Sequence, residues 1–324
     1  MKQSFWKQYY VLETDADEIE RHLQRTTFLS GGKQYELIYF EKGKNAPNIL
    51  ISPGSGGHAY VFAELGYHMH LRGYNVFIMP KHGGSTIRDL IPRHNDALEH
   101  IATHWTDRIG VFAEGLGGYV VFYLALTQSP MKSVVFQNAP AILTEETFRA
   151  AILQGKGAAQ RRKILLPFAK LLLRIFPYVK LPISSYLDWK ELIDTKEGNR
   201  EVETRLVTEG YLHDPDFDTW YPLSAIMSLL LTPPPQPLSA LQIPSMFMVA
   251  LRGVGGSAFV EYLEDVYQRL PDVKKRFVEV DGSVYWMLSH PKEAAQVIGE
   301  WFDETLSLFY SSKHVQNGET ASTT

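Results

Sequence analysis

The stretch from Arg108 to Tyr123, Arg-Ile-Gly-Val-Phe-Ala-Glu-Gly-Leu-Gly-Gly-Tyr-Val-Val-Phe-Tyr, constrains the fold more than any other part of the chain. Its first half is a short apolar run and reads as a buried strand. Gly115, Gly117 and Gly118 then open a second apolar run, which reads as a sharp turn into a helix. Glycines let a backbone turn sharply and let two elements approach closely. A strand that feeds directly into a covering helix is a unit of layered α/β architecture.

The rest of the chain repeats that unit. Short apolar runs alternate with longer amphipathic stretches, the pattern of a mostly parallel sheet flanked by helices. Strands are expected at Tyr35–Phe40, Asn48–Ser52, Asn75–Met79, Arg108–Ala113, Ser133–Gln137, Met246–Leu251 and Arg276–Val280. Helices are expected at Tyr60–Arg72, Pro92–Trp105, Leu116–Thr127, Ala258–Leu270 and Pro291–Leu308. Pro92 and Pro291 suit a first helical position, where the missing N–H is harmless. Gly43 to Pro47 reads as a hairpin connection between the first two strands. The alternation breaks from about 143 to 237, a region helical by pattern with no evident strand. Thr232-Pro-Pro-Pro-Gln-Pro237 closes it as a stiff, extended return. The expected organisation is a first core part (1–142), an inserted helical lid (143–237), a second core part (238–310) and a polar tail (311–324).

Composition narrows the function. The 324 residues carry a net charge of −4, without the basic excess of a nucleic-acid binder. The chain has no cysteine, which excludes disulfides, thiolate zinc sites and cysteine catalysis. No apolar signal segment follows Met1, and no run of about 18 uncharged apolar residues occurs. A soluble, cytoplasmic protein is the expectation. There is no G-x-G-x-x-G and no Walker loop, so no nucleotide cofactor is indicated. His100 and His104 share a helix face with Asp96, but without the H-E-x-x-H order they read as a polar face rather than a metal site.

Four segments carry a resemblance. Ala113-Glu-Gly-Leu-Gly117, followed by Gly118, has the layout of the G-x-S-x-G nucleophile elbow. Asn48-Ile-Leu-Ile-Ser-Pro-Gly-Ser-Gly-Gly-His58 lies where an H-G-x-G oxyanion loop would fall. Asn75-Val-Phe-Ile-Met-Pro-Lys-His-Gly-Gly-Ser85 matches a degraded D-x-R-G-H-G-x-S loop. Asp281 to Glu293, ending His-Pro-Lys-Glu, matches G-x-G-H, a few residues, then E-H-P-E before a last helix. On these segments the chain resembles the α/β-hydrolase superfamily, and within it the monoacylglycerol lipase and lysophospholipase branch. Leu212-His-Asp-Pro-Asp-Phe-Asp-Thr-Trp-Tyr221 resembles part of the same branch's lid.

The resemblance implies a serine–histidine–aspartate triad, and every one of its positions is blank. Gly115 stands at the nucleophile position. Six residues before His290, Val284 stands at the base position. Gly253 stands at the acid position, after the strand Met246–Leu251. Glycine offers no nucleophile and valine no proton acceptor. Asp281 and Glu261 are the available substitute acids, but neither has a serine or histidine to orient. The implied oxyanion donors are the backbone N–H groups of Ser55 and Leu116. Gly54, Glu114, Tyr285 and Trp286 are the implied pocket residues, with Glu114 read as a carboxylate satisfied by backbone or a tyrosine. His82 reads as structural, and His290 as a flank of the last helix. The basic, apolar stretch Arg161–Lys180 reads as a lid helix that packs on the core, with transient lipid-surface contact as its other use.

The expectation is therefore an esterase or lipase scaffold, inactive as written, with no cofactor or metal. Its ligand would be a small hydrophobic ester or acyl compound. The alternative is a binding protein that holds an acyl or other hydrophobic ligand in the same pocket. Non-hydrolytic proton-transfer chemistry has the least support, because no acid–base pair is visible in the expected cleft.

Overall fold

The computed structural model describes residues 6–10, 12–148, 171–182, 203–252 and 256–307. Its centre is an eight-stranded sheet in the order β1-β2-β4-β3-β5-β6-β9-β10. The strands are β1 (Leu23–Ser30), β2 (Lys33–Phe40), β3 (Asn48–Ser52), β4 (Asn75–Ile78), β5 (Ile109–Glu114), β6 (Met131–Gln137), β9 (Ser245–Ala250) and β10 (Lys275–Val280). From β4 to β10 the neighbours run parallel, while β1 pairs antiparallel with β2 and β2 with β4. β3, β4 and β9 are buried along their whole length. Continuous apolar runs are what a parallel sheet covered on both faces requires.

Two hydrophobic clusters lie on the two faces. One takes in the helices Ile87–His104, Gly115–Ala125 and Gly256–Arg269. The other takes in Ala63–Leu71 and Pro291–Leu306. Trp301 and Phe302 of the last helix are almost fully buried in it.

The structure departs from expectation in four places. β1 is an additional edge strand, polar enough to hide its period. It joins β2 through Gly31 (φ 54°) and Gly32 (φ 73°), both in the left-handed region that a two-residue hairpin of this type needs. Gly43–Pro47 is not a hairpin, because β4 lies between β2 and β3. That connection is tied instead to Asn75, whose Oδ1 accepts from the N–H of Lys42 (2.7 Å) and Gly43 (3.0 Å). Pro92 lies inside its helix, which starts earlier. Thr86 caps it in a reciprocal pair with Asp89, and Ile87 is the first residue. Pro291 does occupy the first turn of its helix.

The fourth departure is in the segment between β6 and β9. It contains a small antiparallel pair, β7 (Lys180–Pro182) with β8 (Trp220–Pro222), where only helix was expected. Leu171, Ile175, Phe176 and Tyr178 in this segment are exposed. The expected tail 311–324, Gly253 and the first part of the basic stretch, 161–170, lie outside the described residues. Among the described residues, no helix is long and apolar enough to cross a membrane.

Candidate functional site at the carboxyl edge of the sheet

β5 ends at Glu114, and the chain turns at once into the helix Gly115–Ala125. Gly115 makes the turn with φ 50°, a conformation that costs other L-residues about 1–2 kcal/mol. A side chain here would have room. A Cβ built on Gly115 meets only the Cα of Gly54, at 3.7 Å. Gly117 and Gly118 are different. A Cβ on Gly117 would lie 2.5 Å from the carbonyl oxygens of Ser52 and Pro53, and one on Gly118 would strike the Cβ of Ala139. Both glycines are therefore needed for the helix to lie against the end of β3 and the loop after β6.

The loop from Pro53 to His58 is held by histidines beneath it. His94 donates from Nδ1 to the Leu90 carbonyl (2.9 Å), so its Nε2 accepts from the Ser52 hydroxyl (2.8 Å). His82 donates from Nε2 to the Pro53 carbonyl (2.7 Å). Burial lowers both rings, His82 to about 4 and His94 to about 3, so both are neutral supports. The structural reading of His82 matches this placement.

The loop is also held from above. The Gly56 N–H donates to the Tyr221 hydroxyl (2.7 Å), and the Asp218 N–H donates to the Gly56 carbonyl (3.1 Å). Gly56 has φ 80°, and a Cβ there would overlap the ring of Phe217. Ser55 is half-buried between these anchored glycines, and Leu116 is buried in the first turn of the helix.

His58 ends the loop in a buried network that sequence reasoning missed. Its Nδ1 accepts from the Tyr60 N–H (3.3 Å), which leaves the Nε2 proton for Asp214 Oδ2 (2.7 Å). The Tyr10 hydroxyl donates to the same oxygen (2.7 Å), and the Asp216 N–H reaches Oδ1 (2.8 Å). Burial pushes the Asp214 carboxyl up, but bonds from His58, Tyr10 and Asp216 outweigh it and hold the group below its ordinary value. The usable signal was Asp214-Pro215-Asp216, an Asx turn in a segment otherwise read for its resemblance alone.

Glu114 is the remaining charged group at the elbow. Its carboxyl lies directly over Gly54, so that any Cβ on Gly54 would overlap Oε2. Burial pushes it up to about 7, while a hydrogen bond from the Gly54 N–H pulls the other way. Burial raises the phenols of Tyr119, Tyr211 and Tyr285 around it, and the Glu114 charge adds to the rise in all three. Tyr285 and Tyr211 are hydrogen-bonded to each other, with ring centres 5.6 Å apart. Glu114 was expected to be satisfied by backbone or a tyrosine; the Gly54 N–H bonds it, and one N–H leaves most of its acceptor capacity unused.

This raised value has a sign that can be checked. The native carboxyl keeps its proton up to about pH 7, whereas the unfolded chain releases it near about pH 4.3. Between those limits the native state binds more protons, so stability falls as pH rises. Glu114→Gln is expected to remove a loss of up to about 1.4 kcal/mol per pH unit in that window. Thermal midpoints of parent and variant from about pH 4.5 to 8 measure it, and parallel curves would contradict the burial of this carboxyl.

Val284 lies in the turn after β10. Its carbonyl accepts from Gln137 Nε2 at 3.4 Å. Gln137, at the end of β6, is in register with Glu114 at the end of β5. It is 1% exposed, and its Oε1 has no hydrogen-bond partner among the described residues. Tyr285 faces Tyr211, but Trp286 packs on Gly282 and stacks on His290, with ring centres 6.3 Å apart. His290 precedes the last helix, with Nδ1 3.1 Å from the Ser289 hydroxyl. Ser283 and Ser289 both reach the buried carboxylate of Glu203, at 2.7 and 3.2 Å.

The two substitute acids lie on the surface. Asp281 is exposed and paired with Arg252, and Glu261 is exposed on the helix Gly256–Arg269. His100 bonds to the Thr26 hydroxyl (3.2 Å), and His104 to the His100 carbonyl (2.8 Å). Among the described residues no group of three or more histidine, aspartate or glutamate side chains forms a metal site.

No protein-family model and no curated protein sequence matches the chain. Solved structures do. A monoacylglycerol lipase from Paleococcus ferrophilus matches with a TM-score of 0.59 and 18% identity, over 86% of this chain and 98% of its own. A soluble variant of the Saccharomyces cerevisiae monoglyceride lipase, bound to a substrate analogue, matches with a TM-score of 0.64 and 14% identity, over 91% and 98%. An epoxide hydrolase from Vigna radiata matches with a TM-score of 0.55 and 13% identity, over 88% and 99%. With its mostly parallel sheet flanked by helices, the chain has the α/β-hydrolase fold.

Proposed function

We propose that this chain is a hydrolase-fold binding protein, which holds a hydrophobic ligand at the carboxyl edge of the sheet without serine-dependent hydrolysis of it. The observation that carries this reading is Gly115. It adopts the left-handed turn of a nucleophile elbow, with space for a side chain and none present. Val284 at the base position presents only its carbonyl, to Gln137. In this reading 143–237 is the lid, and Tyr211, Phe217 and Tyr221 are its contribution to the ligand's surroundings. The aromatic character of that side favours an apolar body for the ligand.

The test is titration calorimetry with twelve-carbon amphiphiles. Saturable one-to-one binding, unchanged by prior treatment with a serine-directed phosphonate, is expected. Failure of every amphiphile to bind would remove the reading.

A further inference from the structure

Among the described residues, the elbow holds one buried acceptor without a donor, the Gln137 Oε1, beside a carboxyl with acceptor capacity to spare. Glu114 and Gln137 stand side by side at the ends of β5 and β6. The Glu114 carboxyl has the Gly54 N–H as its hydrogen-bond partner, where a carboxylate can accept about four bonds. The Gln137 side-chain amide is spent on one side only. Its Nε2 is on the Val284 carbonyl, and its buried Oε1 has no partner among the described residues. Tyr211 and Tyr285 nearby are hydrogen-bonded to one another. A buried acceptor left without a donor is costly, and the Gln137 Oε1 is one.

The charge balance points the same way. Among the described residues no lysine, arginine or histidine forms an ion pair with Glu114. An ester or free acid would bring further acceptor oxygens towards Glu114 and Gln137. A primary ammonium brings three N–H donors and a positive charge. Gly115 sharpens the argument. A Cβ there would stand 3.7 Å from the Cα of Gly54, the residue over which the Glu114 carboxyl lies. With glycine at 115 no side chain occupies that space.

We infer that Glu114, with the Gln137 side-chain carbonyl beside it, is the receptor for the ammonium head of an amphiphilic amine. This rests on the proposed reading of the cleft as a binding site and names its ligand class. The amine's apolar tail lies along Tyr211, Phe217 and Tyr285. Glu114 sets the preference for the head, and the tail contacts are indifferent to it.

Calorimetry at pH 8 with dodecylammonium, dodecanol and dodecanoate, each below its micellar concentration, tests the inference. Dodecylammonium is expected to bind at least about tenfold more tightly than dodecanol, the worth of one charge-assisted bond. Glu114→Gln is expected to bring the amine to the level of dodecanol and leave dodecanol itself within about twofold. Glu293→Gln, which removes an exposed charge elsewhere, is expected to leave all three unchanged. Equal binding of the three head groups, tightest binding of dodecanoate, or an amine affinity that survives Glu114→Gln overturns the inference while the pocket reading stands. Failure of all three to bind overturns the pocket reading itself.

Discussion

The combined substitution Gly115→Ser, Gly253→Asp and Val284→His is expected to turn a chain with no ester hydrolysis above the buffer rate into a slow esterase. The upper bound comes from removing a complete triad in a comparable hydrolase, which costs on the order of a millionfold in turnover. The geometry lowers it. A serine at 115 fits, because its Cβ would meet only Gly54, but it must adopt φ near 50° at a cost of about 1–2 kcal/mol in stability. The Glu114 carboxyl lies over Gly54, next to the implied donor Ser55, and its negative charge would oppose an oxyanion there. The triple variant should therefore fall short of its bound, and adding Glu114→Ala should recover part of the shortfall. Initial rates with p-nitrophenyl butyrate read both steps. Hydrolysis by the parent chain at a rate comparable to the triple variant would mean that other residues supply the nucleophile.

Much of this site was legible in the sequence, for a physical reason. A glycine that must be glycine leaves a local trace. Gly117 and Gly118 are dictated by contacts with Ser52, Pro53 and Ala139, and the short apolar runs of β3 to β9 by burial on both faces. These constraints come from distant neighbours but fix the residue types at a few adjacent positions, so pattern reading recovers them. β1 was missed because an edge strand has one solvated side and no need for an apolar run. Pro92 misled because proline favours the first helical turn, whereas here it lies inside the helix. The reciprocal Thr86–Asp89 cap was the better marker.

The polar pairings were not legible at all. Gly56 with Tyr221, Tyr10 with Asp214 and Gln137 with Val284 join residues more than 140 positions apart. No local pattern encodes them. Glu114 shows the same limit within a single residue. Its position beside the elbow was evident, but its contact with Gly54 and the shortage of donors around it needed the fold.

Asp214→Ala is expected to destabilise the chain by about 3 kcal/mol, because it strands two buried donors at about 1–3 kcal/mol each. The aspartate is the common acceptor for the His58 ring and the Tyr10 hydroxyl, and both lie in the interior. Removing it strands two donors at once and frees the chain that covers Gly56. Asp214→Asn keeps the shape and one acceptor oxygen, so a loss nearer about 1 kcal/mol is expected. Acid separates this role from simple packing. The native carboxyl is held below its ordinary value, so the stability it contributes is fully present above about pH 4 and is lost as pH falls through the native value. That is opposite in direction to Glu114, whose influence lies between about pH 4.3 and 7. Urea midpoints from about pH 7 down to 3 should show a steep acid limb in the parent that is shallower in Asp214→Asn. An alanine variant within about 0.5 kcal/mol of the parent, with the same acid limb, would show that the network does not hold the loop and its cover together.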